Sequence, residues 1–193
     1  MSLYVSKNAY LTREEMKTNA ILIAGFFLNR DWTVNAIAAM LGNMESESTI
    51  NPGIYESLDD TSTTNGFGLV QWTPNTKFKE WATANGYTDF GDLTAQCERI
   101  QYELENGLQW IATSAYPMSF AEFAASDDTP EHLAQAFLYN YERPASLDQP
   151  HRSTQARAWY DLIAGDVPTP SPTPTVTRKE MSKLLLYFVG TRR

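Results

Sequence analysis

Between residues 12 and 29, apolar side chains return every three to four positions, at Met16, Ala20, Ile23, Ala24 and Phe27. That is the spacing of one face of an α-helix. The stretch opens on Thr12-Arg13-Glu14-Glu15, where Thr12 can cap the first turn while Glu15 reaches back to the N–H of the cap. Thr33 is the expected cap of a second helix, with Val34, Ile37, Met40, Leu41 and Met44 as its stripe and Asn51-Pro52-Gly53 beyond its end. Thr73-Pro74 reads as a cap followed by a first-turn proline, opening a short helix that carries Phe78 and Trp81. Leu93, Cys97, Ile100 and Leu104 mark another helix, and Cys97 falls on its stripe as a packed thiol. Ser119-Phe120-Ala121-Glu122 is a second capping box. Thr129-Pro130 starts a helix with Leu133, Phe137, Leu138 and Tyr141, and Ala156, Trp159, Tyr160 and Ile163 belong to a last helix ended by Gly165.

The period changes between residues 54 and 73. Thr61 to Gly66 is turn-rich, and "GFGLVQW" then alternates, with Phe67, Leu69 and Gln71 on one face and Val70 and Trp72 on the other. This predicts a small β-hairpin or sheet inserted after the second helix. A different composition begins after Gly165. "DVPTPSPTPT" is a Pro/Thr linker that cannot form a core, and it is followed by a short apolar and basic segment with six consecutive apolar residues, Leu184 to Val189. The expected organisation is therefore a folded domain over 1–165, a linker over 166–176 and a tail over 177–193. The tail is either a frayed end or a docking segment for self-association or membrane contact.

Charge narrows the partners. The formal net charge is −8, and the last 28 residues hold five basic and two acidic side chains, so the acidic excess lies in the main domain. A nucleic-acid binder needs a basic surface, and none is expected here. No P-loop, dinucleotide fingerprint or zinc-type Cys/His spacing occurs, and His132 and His151 have no evident partners, so neither metal nor cofactor is expected. The single cysteine excludes an intramolecular disulfide. Residues 1–7 lack the apolar core of a secretory signal.

The candidate chemistry lies in "GNMESESTINPG", where Glu45 and Glu47 sit at the end of the second helix. At 100° per residue they fall about 80° to either side of the stripe, so periodicity does not choose between them. A helix C-terminus disfavours a carboxylate, and a carboxyl that resists ionisation suits a general acid. Two solvated surface acids satisfy the same pattern.

Three motifs in order, "GNMESESTINPG", "NGFGLVQW" and "YERPA", resemble those of the phage tail lysozyme family, and the likeness runs from about Tyr4 to Ile163. The resemblance implies a lysozyme-like α+β fold, mostly helical, with the small β-hairpin or sheet flanking the active-site cleft. It implies hydrolysis of the β-1,4 link between N-acetylmuramic acid and N-acetylglucosamine in peptidoglycan. The glutamate between two serines is the family's catalytic acid, which falls on Glu47 and leaves Glu45 at a variable position. A second group must stabilise positive charge or activate water. Asp59 and Asp60 are available, and Leu58-Asp59 resembles a Leu-Asp pair of the family, although a loop aspartate also serves as a turn former. Gly68, Gln71 and Tyr141 are the implied substrate-binding positions, with Glu142-Arg143 as a structural ion pair. A lytic transglycosylase, and an inactive tail or wall-binding protein, are the competing readings. The implied setting is a phage tail in which other tail proteins are partners, or else a host cytoplasm awaiting holin-dependent release. Related tail proteins carry a metal-dependent peptidase domain after such a linker, and 28 residues are too few for one.

Overall fold

The structure is a computed structural model that describes residues 3–166. The expected tail at 177–193 and the linker after Asp166 lie outside the described residues. Seven α-helices account for half of the described chain: α1 (Arg13–Leu28), α2 (Val34–Ser48), α3 (Thr76–Ala84), α4 (Leu93–Glu105), α5 (Phe120–Ala124), α6 (Pro130–Phe137) and α7 (His151–Asp166). Both capping boxes form, at Thr12 with Glu15 and at Ser119 with Glu122, and Thr33, Asp92 and Thr129 each accept a first-turn N–H. These polar stops fix the helix starts independently of packing.

Helix α2 is the centre of the fold and packs against α1, α5, α6 and α7. Its residues from Ala36 to Met44 are all buried, including Gly42 and Asn43. A helix buried on every side is a core helix rather than an amphipathic one, so the one-sided stripe expected from Val34 to Met44 understates its burial. Small residues allow the close approach. A Cβ at Gly42 would meet Ala156 N at 2.7 Å and Arg152 O at 2.8 Å, so α7 lies directly against the α2 backbone. Trp159 and Ile163 continue that contact into the core.

The expected β-hairpin does not form. Among the described residues the extended pairing is limited to an isolated antiparallel bridge between Tyr55 and Phe67. The segment "GFGLVQW" is a turn, closed by Gln71 N to Gly68 O at 3.1 Å and Trp72 N to Phe67 O at 3.1 Å. The cause is local. Gly68 adopts φ +80° and Gln71 φ +48°, which reverses the chain where a strand would continue. Phe67, Leu69, Val70 and Trp72 are all buried, so both faces of the supposed strand point into the core and the alternation carries no inside and outside. Helix α3 also begins later than expected, at Thr76 with Asn75 before it, because the Asn75 N–H and side chain are tied to Asn65 O and Ser62 O.

Replacing Gly42 by Ala should force α2 and α7 apart and cost about 1–3 kcal/mol of stability. Urea unfolding of the two proteins measures it, and an unchanged midpoint would mean that the α2–α7 contact has room the structure denies.

Candidate active site

A polar cleft of about 620 Å³ opens where the end of α2 meets the Phe67–Trp72 turn and the chain after α6. Glu47, Tyr55, Glu56, Val70, Gln71, Trp72, Lys77, Tyr141 and Glu142 are among its walls, and Tyr10, which is 67% exposed, stands at its edge.

The end of α2 is held on every side. Thr49 and Ile50 both take left-handed backbone, at φ +54° each, and their N–H groups bond back to Glu45 O and Met44 O. Ile50 is a β-branched residue in that region and is fully buried, so the reversal is imposed by its packing. The serines on either side of Glu47 act as tethers. Ser46 Oγ donates to Gln155 Oε1 of α7 at 2.7 Å, and Ser48 Oγ donates to Leu69 O of the cleft turn at 2.9 Å. Asn51, fully buried, donates to Lys7 O and Ala9 O and pins the N-terminal segment beneath the turn.

Glu45 and Glu47 part as the helical wheel predicts. Glu45 faces away from the cleft, and its Oε2 accepts from Arg13 Nη1 at 2.9 Å and Trp159 Nε1 at 2.7 Å. Glu47 lines the cleft, and its Oε1 accepts from Arg152 Nη2 at 2.6 Å. The Arg152 side chain is only 5% exposed and that of Glu47 20%. Arg152 also donates to Asn43 Oδ1 at 3.0 Å and Gln149 Oε1 at 2.7 Å, so its orientation is fixed by α2 and α7 together.

The opposite wall is built by an irregular turn. After α6 the chain widens into a π-helical turn, Leu138–Glu142, and leaves it through Arg143 at φ +50°. π-Turns recur at functional sites because they rotate one side chain out of helical register. Here Tyr141 turns into the protein and Glu142 faces the cleft. Tyr141 is 1% exposed and its hydroxyl donates to Glu103 Oε2 at 2.5 Å. It forms the cleft wall with a hydroxyl already committed. Glu103 also accepts from Trp72 Nε1 and Arg99 Nε, and burial still pushes its carboxyl above the usual range.

The Glu142–Arg143 ion pair expected from the sequence is absent. Arg143 Nη1 donates instead to the carbonyls of Gln109 and Asn140, because left-handed backbone at Arg143 turns its side chain that way. Glu142 Oε1 is shielded from solvent and has no hydrogen-bond partner. Burial, and next the charge of Glu47, push the Glu142 carboxyl well above the ordinary carboxylate range.

The other expected site residues divide. Gln71 lines the cleft, with its Nε2 donating to Gly68 O at 2.9 Å, so part of its amide braces the turn. Gly68 lies behind that turn, against the Gln96 side chain, and its N–H donates to Ile54 O. Asp59 is outside the cleft lining, on the exposed loop, where its Oδ1 accepts from the N–H and hydroxyl of Thr61. Those hydrogen bonds hold its carboxyl below the usual range and describe a turn former.

Two residues of the site went unrecognised in the sequence. Arg152 heads the stripe Ala156, Trp159 and Ile163 at helical spacing, and a cation on an apolar stripe signals a buried partner. Glu142 gave no such signal, since its direction depends on the π-turn.

A model described as "Phage tail lysozyme" matches residues 18–163, which includes α2, the cleft turn and the π-turn. The chain belongs to the phage tail lysozyme family. Its lysozyme-like fold is carried by helices, with the cleft turn in place of the expected sheet. Among curated relatives, "Morphogenesis protein 1" of Bacillus phage B103 is 48% identical over 163 residues, covering 84% of this chain. The chain spans 44% of the length of that relative.

Arg152→Leu should cost this lysozyme-family domain about 2 kcal/mol or more, because it strands the Glu47 carboxylate and the Asn43 acceptor. Adding Glu47→Leu should recover part of that loss. Strictly additive losses in the double-mutant cycle would show that the pair contributes nothing.

Proposed function

We propose that the chain is a peptidoglycan hydrolase that cleaves the β-1,4 bond between N-acetylmuramic acid and N-acetylglucosamine, with Glu47 as the acid. The observation that carries the reading is that the family's acid position is the glutamate that lines the cleft, while Glu45, two residues away, is bound to Arg13 and Trp159 outside it. A glycosidic oxygen leaves poorly until it is protonated, and a carboxyl held at the wall of an open groove can supply that proton to a polymer lying along it. Gln71, Tyr55 and Tyr10 offer an amide and two rings along the same groove for a sugar chain. Gln71 and Tyr141 are retained as binding positions, Tyr141 as a shaped wall. The backbone at Gly68 acts by allowing the turn, and Asp59 supports the loop.

The setting we propose is a phage tail acting on the bacterial wall during penetration, with the glycan strands as substrate and other tail proteins as partners. The family's description and the printed name of the Bacillus phage relative support the tail-associated part of this setting.

Glu47→Gln keeps the shape of the side chain but cannot donate the proton. Peptidoglycan turbidity loss should slow by about 10²-fold or more with the fold intact by circular dichroism. Glu45→Gln should retain most of the activity. Near-wild-type clearing by the Glu47 variant would remove the proposed acid, and equal losses would mean the two glutamates are not distinguished. Product masses lacking the added water would replace hydrolysis by lytic transglycosylation.

A further inference from the structure

We propose that the N-terminal arm, residues 4–11, builds a further glycan subsite on the groove, where the ring of Tyr10 stacks on a sugar of a long peptidoglycan strand. The inference rests on the reading of the groove as a glycan site. It extends that site to a segment that precedes residues 18–163, the part matched by the family model.

The arm is fastened by polar groups that are themselves buried. Asn19 of α1 is fully buried; its Oδ1 accepts from Val5 N at 2.8 Å and its Nδ2 donates to Val5 O at 2.8 Å. Asn51, also fully buried, donates through Nδ2 to Lys7 O at 2.7 Å and Ala9 O at 2.6 Å, and its Oδ1 accepts from Lys7 N at 3.3 Å. Leu11 N donates to Thr49 Oγ1 at 3.0 Å, at the left-handed end of α2. The arm crosses directly over Gly53, where a Cβ would meet Lys7 N and Ser6 Oγ, each at 2.6 Å. A buried amide that loses its partners is costly, so the two asparagines hold the arm to this course.

The same fastening brings the arm to the groove. Asn8 joins it to the cleft loop, with Oδ1 accepting from Tyr55 N at 3.1 Å and Nδ2 donating to Leu58 O at 2.9 Å. Tyr55 is a groove wall, and its ring is backed by Phe67 at 4.6 Å and by Lys79 Nζ at 4.7 Å. Tyr10 follows with both neighbours tethered, Ala9 through its carbonyl to Asn51 and Leu11 through its N–H to Thr49. Leu11 is buried and Tyr10 is 67% exposed, so the pinned backbone sends one side chain into the core and leaves the next at the groove edge. Among the described residues the Tyr10 hydroxyl makes no hydrogen bond, and its ring stacks on no other.

That arrangement suits a sugar. A pyranose presents a face of C–H groups to an aromatic ring while its hydroxyls stay in water. A tyrosine on fixed backbone has two side-chain torsions to order, so little freedom is lost when a sugar settles on it. A short oligosaccharide is held by Gln71 and Tyr55 within the groove, and a longer strand continues to Tyr10 at the edge.

The test compares a tetrasaccharide with an octasaccharide of uncross-linked peptidoglycan by titration calorimetry, in the Glu47→Gln background so that the strands survive. Tyr10→Ala should weaken octasaccharide binding by about three- to tenfold, with a much smaller change for the tetrasaccharide. Tyr10→Phe keeps the ring and should match the tyrosine. Urea unfolding should give the three proteins one midpoint, because the ring is exposed. Octasaccharide affinity unchanged in Tyr10→Ala, or an equal loss on both strands, overturns the subsite. A lowered midpoint in Tyr10→Ala assigns the ring to packing of the arm and overturns it too, and a Phe variant as weak as the Ala variant overturns stacking. Failure of the glycan reading looks different: the protein with Tyr10 intact binds neither strand. If the Glu47→Gln protein still cleaves, the acid assignment falls and the same length comparison is read from KM on the two strands.

Discussion

The guanidinium of Arg152 is the constraint on which the site depends. A cation with a side chain 5% exposed is costly unless its donors find acceptors, and here the acceptors come from α2 and from the chain just before α7. Glu47, Asn43 and Gln149 cannot all be reached unless the two helices lie as close as the bare backbone at Gly42 allows. Asn43 extends the chain of dependence, since its amide donates to Ala39 O and Ala134 O and so couples α6 to the same point. The packing of small residues along α2 and the orientation of the cleft carboxylate are thus one feature.

The two walls of the cleft are made from backbone that departs from regular structure. On one side, two consecutive left-handed residues end α2, and a glycine-dependent turn faces them. On the other, a π-turn and a left-handed arginine direct Tyr141 inward and Glu142 toward the cleft. Irregular backbone of this kind is retained where surrounding packing determines it, and Glu103 supplies that determination by joining Trp72 from the first wall to Tyr141 from the second. Glu47 enters the cleft charge-paired, and Glu142 enters it with an unpartnered oxygen, so the two carboxyls have different environments within one groove.

The helices were legible because their signals are local. Thr12 with Glu15 and Ser119 with Glu122 specify starts through bonds within one turn, and the apolar spacing specifies which face is buried. The partition of Glu45 from Glu47 was also present in the sequence as an angle, although which of them faced the groove needed the resemblance. The cleft turn imitates a strand because its apolar residues alternate in the sequence. Five consecutive residues, Gly66 to Val70, are buried, a pattern that a half-exposed strand does not show, and the positive φ of Gly68 decided against extension. Glu142 could not be placed by spacing, since the π-turn shifts the register that spacing assumes. Arg152 could have been placed, because a lone cation at the head of an apolar stripe demands a buried partner.

The central claim is that a glycan lies in the groove between the end of α2 and the π-turn with its scissile oxygen at Glu47. A crystal structure of the Glu47→Gln variant with a peptidoglycan tetrasaccharide tests it most directly. The account predicts sugar rings along Tyr55 and Gln71, with a glycosidic oxygen within hydrogen-bond reach of residue 47. A tetrasaccharide bound on another face, or one whose glycosidic oxygens all lie beyond reach of residue 47, would contradict it.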